Sequence, residues 1–130
     1  MIYFDTSALT KRAVTEDESE ALESWVKGRP GVPHLSSDII LVELPRAVMR
    51  REPTLLLAAH RLVTQLNTIA LTPGLLEVAA TLQPPTLRSL AAIHLATALR
   101  ARRQLTAFVT YDKRLLRIAT DSGLPVVTPN

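Results

Sequence analysis

Short β-prone runs alternate with helical segments along the chain, and this alternation constrains the fold more than any other feature. The runs are MIYF, HLSS, TIALT, AFVTYD and PVV, and the stretches between them carry apolar residues at helical spacing. Strands separated by helices form parallel sheets that are covered on both faces. We therefore predict an α/β fold, a three-layer α/β/α sandwich with a mostly parallel sheet of four to five strands.

Several residues predict where helices begin and end. Thr6 or Ser7 follows the first strand and can cap the first helix, and Ser89 can cap the helix LAAIHLATALRARR. Pro45 lies inside the helix IILVELPRAVMRR. Because proline has no amide hydrogen to donate, it predicts a kink or an early break in that helix.

The length and the residue types exclude several classes of protein. With 130 residues the chain is large enough for one domain, which we place at residues 1–130. No stretch reaches the roughly 18 apolar residues of a membrane span, and MIYFDTSALTKR lacks the basic start of a signal peptide. We expect a cytoplasmic protein that does not enter membranes, with release from the cell left as an alternative. Because there is no cysteine, any metal ion must be bound by oxygen or imidazole ligands.

Basic residues outnumber acidic ones and fall into clusters. There are 15 lysines and arginines against 12 acids, which gives a formal net charge of +3. Three basic clusters suit a polyanionic partner, although bases near helix ends also complement the helix dipole. The clusters are Arg46, Arg50 and Arg51; Arg100, Arg102 and Arg103; and Lys113, Arg114 and Arg117.

Three acids occupy places where a parallel sheet and its helices bring side chains together. Asp5 ends the first strand and Asp112 directly follows the strand AFVTY, so both emerge at the same edge of the sheet. Glu43 is the only acid in an apolar helical run. Converging carboxylates repel one another unless a divalent cation lies among them, and Mg²⁺ or Mn²⁺ prefers such oxygen ligands. We therefore predict a metal site; the alternatives are helix caps at Asp5 and Asp112 and a solvent-facing Glu43.

Four segments of the sequence resemble one family of nucleases. IYFDTSAL, LVEL, LRSLAAIHLATA and FVTYDKRL, in this order, are similar to the PIN-domain ribonucleases, and most closely to the VapC toxins of VapBC toxin–antitoxin modules. The resemblance implies a PIN-like fold and a Mg²⁺- or Mn²⁺-dependent endoribonuclease that cleaves structured RNA such as transfer RNA. It also implies a homodimer and a cognate VapB-type antitoxin whose C-terminal tail enters the acidic cleft.

The resemblance assigns roles to individual residues. Asp5, Glu43 and Asp112 match the family's acidic metal ligands, and Thr6 and Thr110 match small hydroxyl residues that orient carboxylates or water. Contact with RNA is then expected to be mainly electrostatic. The basic residues that we expect to make it are Arg46, Arg100, Arg102, Arg103, Lys113 and Arg114.

Position 91 departs from the family's pattern. Its four catalytic positions correspond here to Asp5, Glu43, Ala91 and Asp112, and the family carries an aspartate where this chain has Ala91. Loss of such a carboxylate weakens metal binding and costs on the order of a hundredfold in rate. We predict a severely impaired nuclease on an intact fold, because alanine is a strong helix former. An engineered change and natural divergence are both compatible with the sequence.

Two other functions, and the role of one histidine, stay open. A non-catalytic PIN-like domain that binds antitoxin or RNA is the main alternative, because Ala91 removes an expected acid. A receiver-type signalling domain would need an aspartate at the end of a middle strand, where TIALT ends in Thr72. His94 is either a metal ligand that faces the cleft or a hydrogen-bonded core residue.

Overall fold

A computed structural model describes residues 1–130 and contains a five-stranded sheet. Its strands are β1 (Ile2–Phe4), β2 (His34–Ser37), β3 (Asn67–Ile69), β4 (Ala107–Val109) and β5 (Val126–Val127). They lie in the order β3-β2-β1-β4-β5, and every neighbouring pair is parallel. The sheet is therefore parallel throughout, where the sequence predicted a mostly parallel one.

Seven α-helices connect the strands. They are α1 (Thr6–Ala13) and α2 (Ser19–Lys27) after β1, α3 (Ile40–Arg51) and α4 (Leu56–Thr64) after β2, α5 (Pro73–Ala80) and α6 (Ser89–Arg100) after β3, and α7 (Lys113–Asp121) after β4. Short 3-10 turns lie at Pro53–Leu55 and Arg102–Gln104. None of the helices combines the length and the apolar character that crossing a lipid bilayer requires.

Two clusters of apolar side chains cover the two faces of the sheet. On one face Tyr3 and Phe108 pack with α5, α6 and α7. On the other face Ile2, Phe4 and Val109 pack with α1, α2, α3 and α4. Successive residues of a strand point to opposite faces, so β1 and β4 contribute to both clusters. The predicted α/β/α sandwich is confirmed.

The order of the strands reverses its direction next to β1. From β1 the chain adds β2 and β3 on one side and then crosses to β4 and β5 on the other. In parallel sheets a crevice opens at such a point, beyond the carboxyl ends of the two diverging strands. The pairing of Phe4 with Val109 brings the residues that follow β1 and β4 together at this crevice.

Two helices begin differently from the prediction. Asp5, and not Thr6 or Ser7, caps α1, because its extended backbone lets the carboxylate accept a hydrogen bond from the Ala8 amide. Ser89 is already the first helical residue of α6, and the cap position before it is taken by Arg88, whose backbone is extended and whose side chain makes no capping bond. The first helix therefore begins at Asp5, the acid for which a helix cap was the alternative to a metal site.

The third strand is shifted along the chain relative to TIALT. β3 begins at Asn67, one residue earlier, and ends at Ile69. The chain then turns tightly, since the Thr72 amide donates to the Ala70 carbonyl and the Thr72 hydroxyl accepts from the Leu75 amide to cap α5. Thr72 therefore belongs to the start of the next helix and not to the strand.

Of the kink or early break predicted at Pro45, the early break is absent. Helix α3 continues through the proline from Ile40 to Arg51. Leu44 and Val48, which lie on either side of Pro45, are fully buried against the sheet. Burial of the helix's apolar face outweighs the one hydrogen bond that proline removes.

Replacing Leu95 by alanine is expected to lower the free energy of unfolding by about 2–5 kcal/mol, because it leaves a cavity under α6. Leu95 is 1% exposed, whereas Leu90 on the same helix is 46% exposed. The matched Leu90→Ala change should therefore cost less than about 0.5 kcal/mol. Urea unfolding followed by Trp25 fluorescence measures both, and equal losses would contradict the placement of Leu95 in the core.

Candidate active site

One cleft at the crevice between β1 and β4 contains the three acids singled out in the sequence. Asp5, Glu43 and Asp112 all line it, and Ala91 and His94 of α6 line it with them. Its volume is about 360 Å³. The cleft is contributed by the end of β1, the first turns of α3 and α6, and the residues after β4. Glu43 therefore lines this cleft, so the alternative of a Glu43 that faces only solvent is wrong.

Asp5 is buried and held by three hydrogen bonds. Its Oδ1 accepts from the Ser7 hydroxyl at 2.6 Å and from the Ala8 amide at 3.0 Å, and its Oδ2 accepts from the Thr110 hydroxyl at 2.6 Å. Burial raises the pKa of the Asp5 carboxyl more than these hydrogen bonds lower it. The hydrogen bonds fix the direction of the carboxylate before any ligand binds.

Asp112 lies at the exposed rim of the cleft. Its Oδ1 accepts from the amides of Arg114 and Leu115 at 2.9 and 3.1 Å, so it caps α7. The Asp112 amide in turn donates to the Thr110 hydroxyl at 3.1 Å, which links it to Asp5 through a single side chain. Asp5 and Asp112 are therefore helix caps and cleft acids at once, and the two readings of the sequence were not exclusive.

Glu43 is tied to the core through His94. The Oε1 of Glu43 accepts from the Thr6 hydroxyl at 2.8 Å and lies 2.9 Å from Nε2 of His94, while Nδ1 of His94 lies 2.8 Å from the Tyr3 hydroxyl. A neutral imidazole with its proton on Nε2 satisfies both contacts, because it donates to Glu43 and accepts from Tyr3. Burial raises the pKa of Tyr3 well above its usual 10.0, which keeps that hydroxyl protonated and able to donate.

The role of His94 was underestimated from the sequence. It is buried and hydrogen-bonded, as the core interpretation expected, but its partner is one of the three acids. The contact joins residues that are 51 positions apart in the chain, so no local pattern reports it. The available signal was Tyr3, whose hydroxyl sits in an apolar strand and must find a partner when buried.

Small hydroxyl residues surround the acids. Thr6 bonds Glu43 and Thr110 bonds Asp5. Ser7, which sequence reasoning treated only as a possible cap, donates to Asp5 and accepts from the Tyr111 amide at 2.8 Å. Ser7 thus connects the start of α1 to the residue after Thr110, and it belongs with Thr6 and Thr110 among the residues that orient the acids.

Ala91 occupies the side of the cleft where α6 begins. It is partly exposed and packs against the cluster under α6. No three histidine, aspartate or glutamate side chains lie close enough to one another to surround a metal ion. The three acids line one cleft, but they do not form a complete set of ligands.

The predicted RNA-binding residues lie at different distances from the cleft. Arg114 lines a cavity that also contains Asp112, and Lys113 begins α7 beside it. Arg46 is exposed on α3, one turn after Glu43. By contrast Arg100 ends α6, about 14 Å along the helix from Ala91, and Arg102 and Arg103 follow it at that far end. Arg88 was not predicted, yet it lines the cleft itself.

Known proteins resemble this chain in sequence and in fold. The PIN domain family matches residues 2–121. Ribonuclease VapC47 of Mycobacterium tuberculosis is 42% identical over 132 residues, which cover 99% of this chain and 97% of that protein. Ribonuclease VapC35 of the same organism is 41% identical over 131 residues, again covering 99% of this chain and 97% of the relative. The crystal structure of VapC20 from M. tuberculosis, a toxin that cleaves the sarcin–ricin loop, matches this chain with a TM-score of 0.75. The match covers 95% of this chain and 96% of VapC20. Because the two sequences are only 17% identical, this match shows a shared fold.

Replacing Asp5 by asparagine is expected to remove a pH dependence of stability. Because burial raises the pKa of Asp5 above its ordinary 3.8, the folded chain binds more protons there than the unfolded chain. The contribution of Asp5 to stability therefore falls as the pH rises from about 3.8 through the raised value. Asparagine keeps the cap and cannot ionise, so the variant should gain in free energy of unfolding relative to the parent chain over that window.

Urea unfolding of both proteins in EDTA, at pH values from 4 to 8, measures this difference. All other titrating groups are common to the two chains and cancel. A difference that stays flat, or one that favours the parent chain as the pH rises, would contradict a raised pKa at Asp5.

Proposed function

This chain belongs to the PIN-domain family, and we propose that it is the toxin of a type II toxin–antitoxin module, built as a metal-dependent endoribonuclease. The observation that carries the proposal is a cleft lined by Asp5, Glu43 and Asp112, with Ala91 facing the same space. The relatives that match over nearly the whole chain are named ribonucleases, which supports phosphodiester cleavage as the chemistry.

The donor atoms of the cleft suit Mg²⁺ or Mn²⁺, which prefer carboxylate oxygens. Protein hydrogen bonds reach only Oε1 of Glu43 and Oδ1 of Asp112, so the second oxygen of each carboxylate is free for a cation. Asp5 would be the third ligand. Such an ion, when bound, supplies Lewis-acid polarisation of a phosphoryl oxygen. The carboxylate oxygens are the kind of ligand that the ion prefers. The three acids do not form a complete ligand set, because no three such side chains lie in one close cluster.

The residues around the acids act as positioning groups in this proposal. Thr110 and Ser7 hold the carboxylate of Asp5, and Thr6 with His94 holds that of Glu43. Carboxylates held in this way need little reorganisation when the substrate phosphate arrives, which is the main contribution of a preorganised site to rate.

We propose that Ala91 impairs the nuclease site. An aspartate there, in the first turn of α6, would add a fourth carboxylate on the open side of the cleft and would be favoured by the helix dipole. Alanine leaves the negative charge of the site one unit lower and offers no ligand. The expected consequence is weak metal binding and slow cleavage on a normally folded chain.

The proposed substrate is structured RNA such as transfer RNA, and the proposed partner is a VapB-type antitoxin. The net charge of +3 and the basic residues beside the cleft support a polyanionic substrate. An antitoxin tail would enter the same cleft. A toxin of this class acts on RNA inside the cell, so the proposed location is the cytoplasm.

A homodimer is proposed from the exposed apolar side chains of α3 and α4. Leu41, Val42 and Met49 on α3 and Leu57 on α4 are each about half exposed or more. Large apolar side chains gathered on neighbouring helices are typical of surfaces that associate. A symmetric contact between two copies would bury them.

The second candidate function is a non-catalytic domain that binds antitoxin or RNA. Ala91 favours it, because a cleft without its fourth acid can bind a partner and still lack chemistry. The two functions differ in what the restored acid does.

Changing Ala91→Asp is expected to raise the rate of RNA cleavage in Mg²⁺ or Mn²⁺ by on the order of a hundredfold. The carboxylate completes the ligand set, so calorimetric titration with Mn²⁺ should also show tighter binding. Ala91→Asn is the matched control, because it has nearly the same shape without the charge and should restore neither property. A panel of transfer RNAs, with the cleavage products separated on gels, is the substrate.

An Ala91→Asp protein that stays inert while it still binds antitoxin would support the non-catalytic function. Tighter Mn²⁺ binding by the parent chain than by Ala91→Asp would contradict the role given to the missing carboxylate.

Changing Leu57→Glu is expected to shift the chain from dimer to monomer, because it places a charge among the apolar side chains of α3 and α4. Leu57 is 61% exposed, so the folded monomer should tolerate the change. Leu76→Glu on α5, at a position 42% exposed, is the control and should leave the dimer intact. Light scattering coupled to size exclusion gives the mass of each; a parent chain that is monomeric at all concentrations would refute the dimer.

A further inference from the structure

Three cavities follow one another from the acidic cleft along the start of α7. The cleft shares Arg88 and Asp112 with a second cavity of about 230 Å³, which is also lined by Arg114. That cavity shares Arg114 with a third, of about 410 Å³, which is lined by Arg117. Each step away from the acids is therefore lined by an arginine. We call Arg88, Arg114 and Arg117 the arginine track.

The arginines of the track have no acidic partner. Elsewhere on the surface Lys11, Arg12 and Arg51 form ion pairs with glutamates of the acidic segment before and within α2. None of the three track arginines lies within salt-bridge distance of a carboxylate, although Asp112 lines the second cavity with Arg114 and Asp121 lines the third with Arg117. Their charges are therefore available to a ligand.

The backbone that carries the arginine track is anchored, while most of the guanidinium N–H groups have no hydrogen-bond partner. Leu87 is buried in the cluster under α6 and anchors the residue next to it, Arg88. The guanidinium of Arg114 donates one hydrogen bond, to the Thr86 carbonyl at 3.2 Å, which places it against the loop before α6. The side chains of Arg88 and Arg117 are exposed and make no hydrogen bond in the structure. Arg114 and Arg117 are three residues apart on α7 and so share a face of that helix.

We propose that the arginine track is a subsite for RNA phosphates that lie next to the scissile phosphate on the same strand. A guanidinium presents a planar fork of donors that matches a phosphate, and unpaired arginines in a row match the repeating charge of a strand. The acids receive the scissile phosphate, and the track holds the strand as it leaves along α7. This inference rests on the proposed function, because it identifies where the substrate of that same cleft continues.

The test is RNA binding by the parent chain, whose Ala91 keeps cleavage slow. Fluorescence anisotropy with a labelled single-stranded RNA of twelve nucleotides, over a range of salt concentrations, compares the parent with Arg88→Gln/Arg117→Gln. Each lost phosphate contact lowers the slope of log affinity against log salt by about 0.7, so the double variant should lose about 1.4. Its affinity at low salt should fall by about tenfold for each contact.

Arg61→Gln is the control for the loss of a positive charge outside the track. Arg61 is exposed on α4, its side chain forms no ion pair, and its loss removes one positive charge away from the three cavities. It should leave the salt slope unchanged. Each variant should melt within a few degrees of the parent chain, because the side chains of Arg88 and Arg117 make no hydrogen bond or ion pair. Such a result shows that the fold is retained.

The outcomes separate this inference from the proposed function. Equal affinity and slope in the parent chain and the double variant overturn the track, and so does a parent chain that binds no RNA. Hexaglutamate, an acidic peptide measured in the same assay, overturns it if the double variant loses affinity for the peptide and not for RNA. Cleavage by Ala91→Asp is scored separately. If that protein cleaves and the track variant binds RNA normally, the function stands and the track is wrong. If it is inert while the track variant loses affinity, the nuclease function is wrong and the track binds RNA in a non-catalytic domain.

Discussion

The burial of the Asp5 carboxylate is the interaction on which the rest of the cleft depends. Its three donors come from two separate segments: the Ser7 hydroxyl and the Ala8 amide lie at the start of α1, and the Thr110 hydroxyl follows β4. A buried charge is costly unless such donors surround it, so the carboxylate requires β1, β4 and α1 to meet where they do. The same bonds extend to Asp112 through Thr110, and so the position of one acid sets that of the next.

A second network joins the two helical layers across the end of the sheet. Tyr3 belongs to β1, His94 to α6 and Glu43 to α3, and their hydrogen bonds run in one chain from the core to the cleft. His94 and Tyr3 also pack edge to face, with ring centroids 5.9 Å apart. Every buried side-chain nitrogen and oxygen of the protein has a hydrogen-bond partner. The acids are therefore held by a fully satisfied network, in which the loss of any member leaves another polar group unpaired.

Ala91 lines the same cleft as the acids of these two networks. The three acids around it carry like charges in a partly enclosed space, and a fourth carboxylate without a cation would increase their repulsion. Alanine avoids that repulsion and suits the first turn of α6, so the fold has no need of an acid at this position. Repulsion from the other acids therefore opposes the favourable helix dipole at residue 91 until a divalent ion is bound.

Local pattern and physical chemistry determined the architecture of this protein from its sequence. Alternating strands and helices specify a parallel sheet covered on both faces, and the positions of Asp5 and Asp112 after β1 and β4 place both acids at one edge of it. Tertiary structure alone decided the contacts between residues far apart in the chain. It joined His94 to Glu43, placed Arg88 rather than Arg100 at the cleft, and carried α3 through Pro45. The physical reason is that a strand or a helix follows from the periodicity of its neighbours, whereas hydrogen-bond partners and cleft walls depend on how separate elements pack.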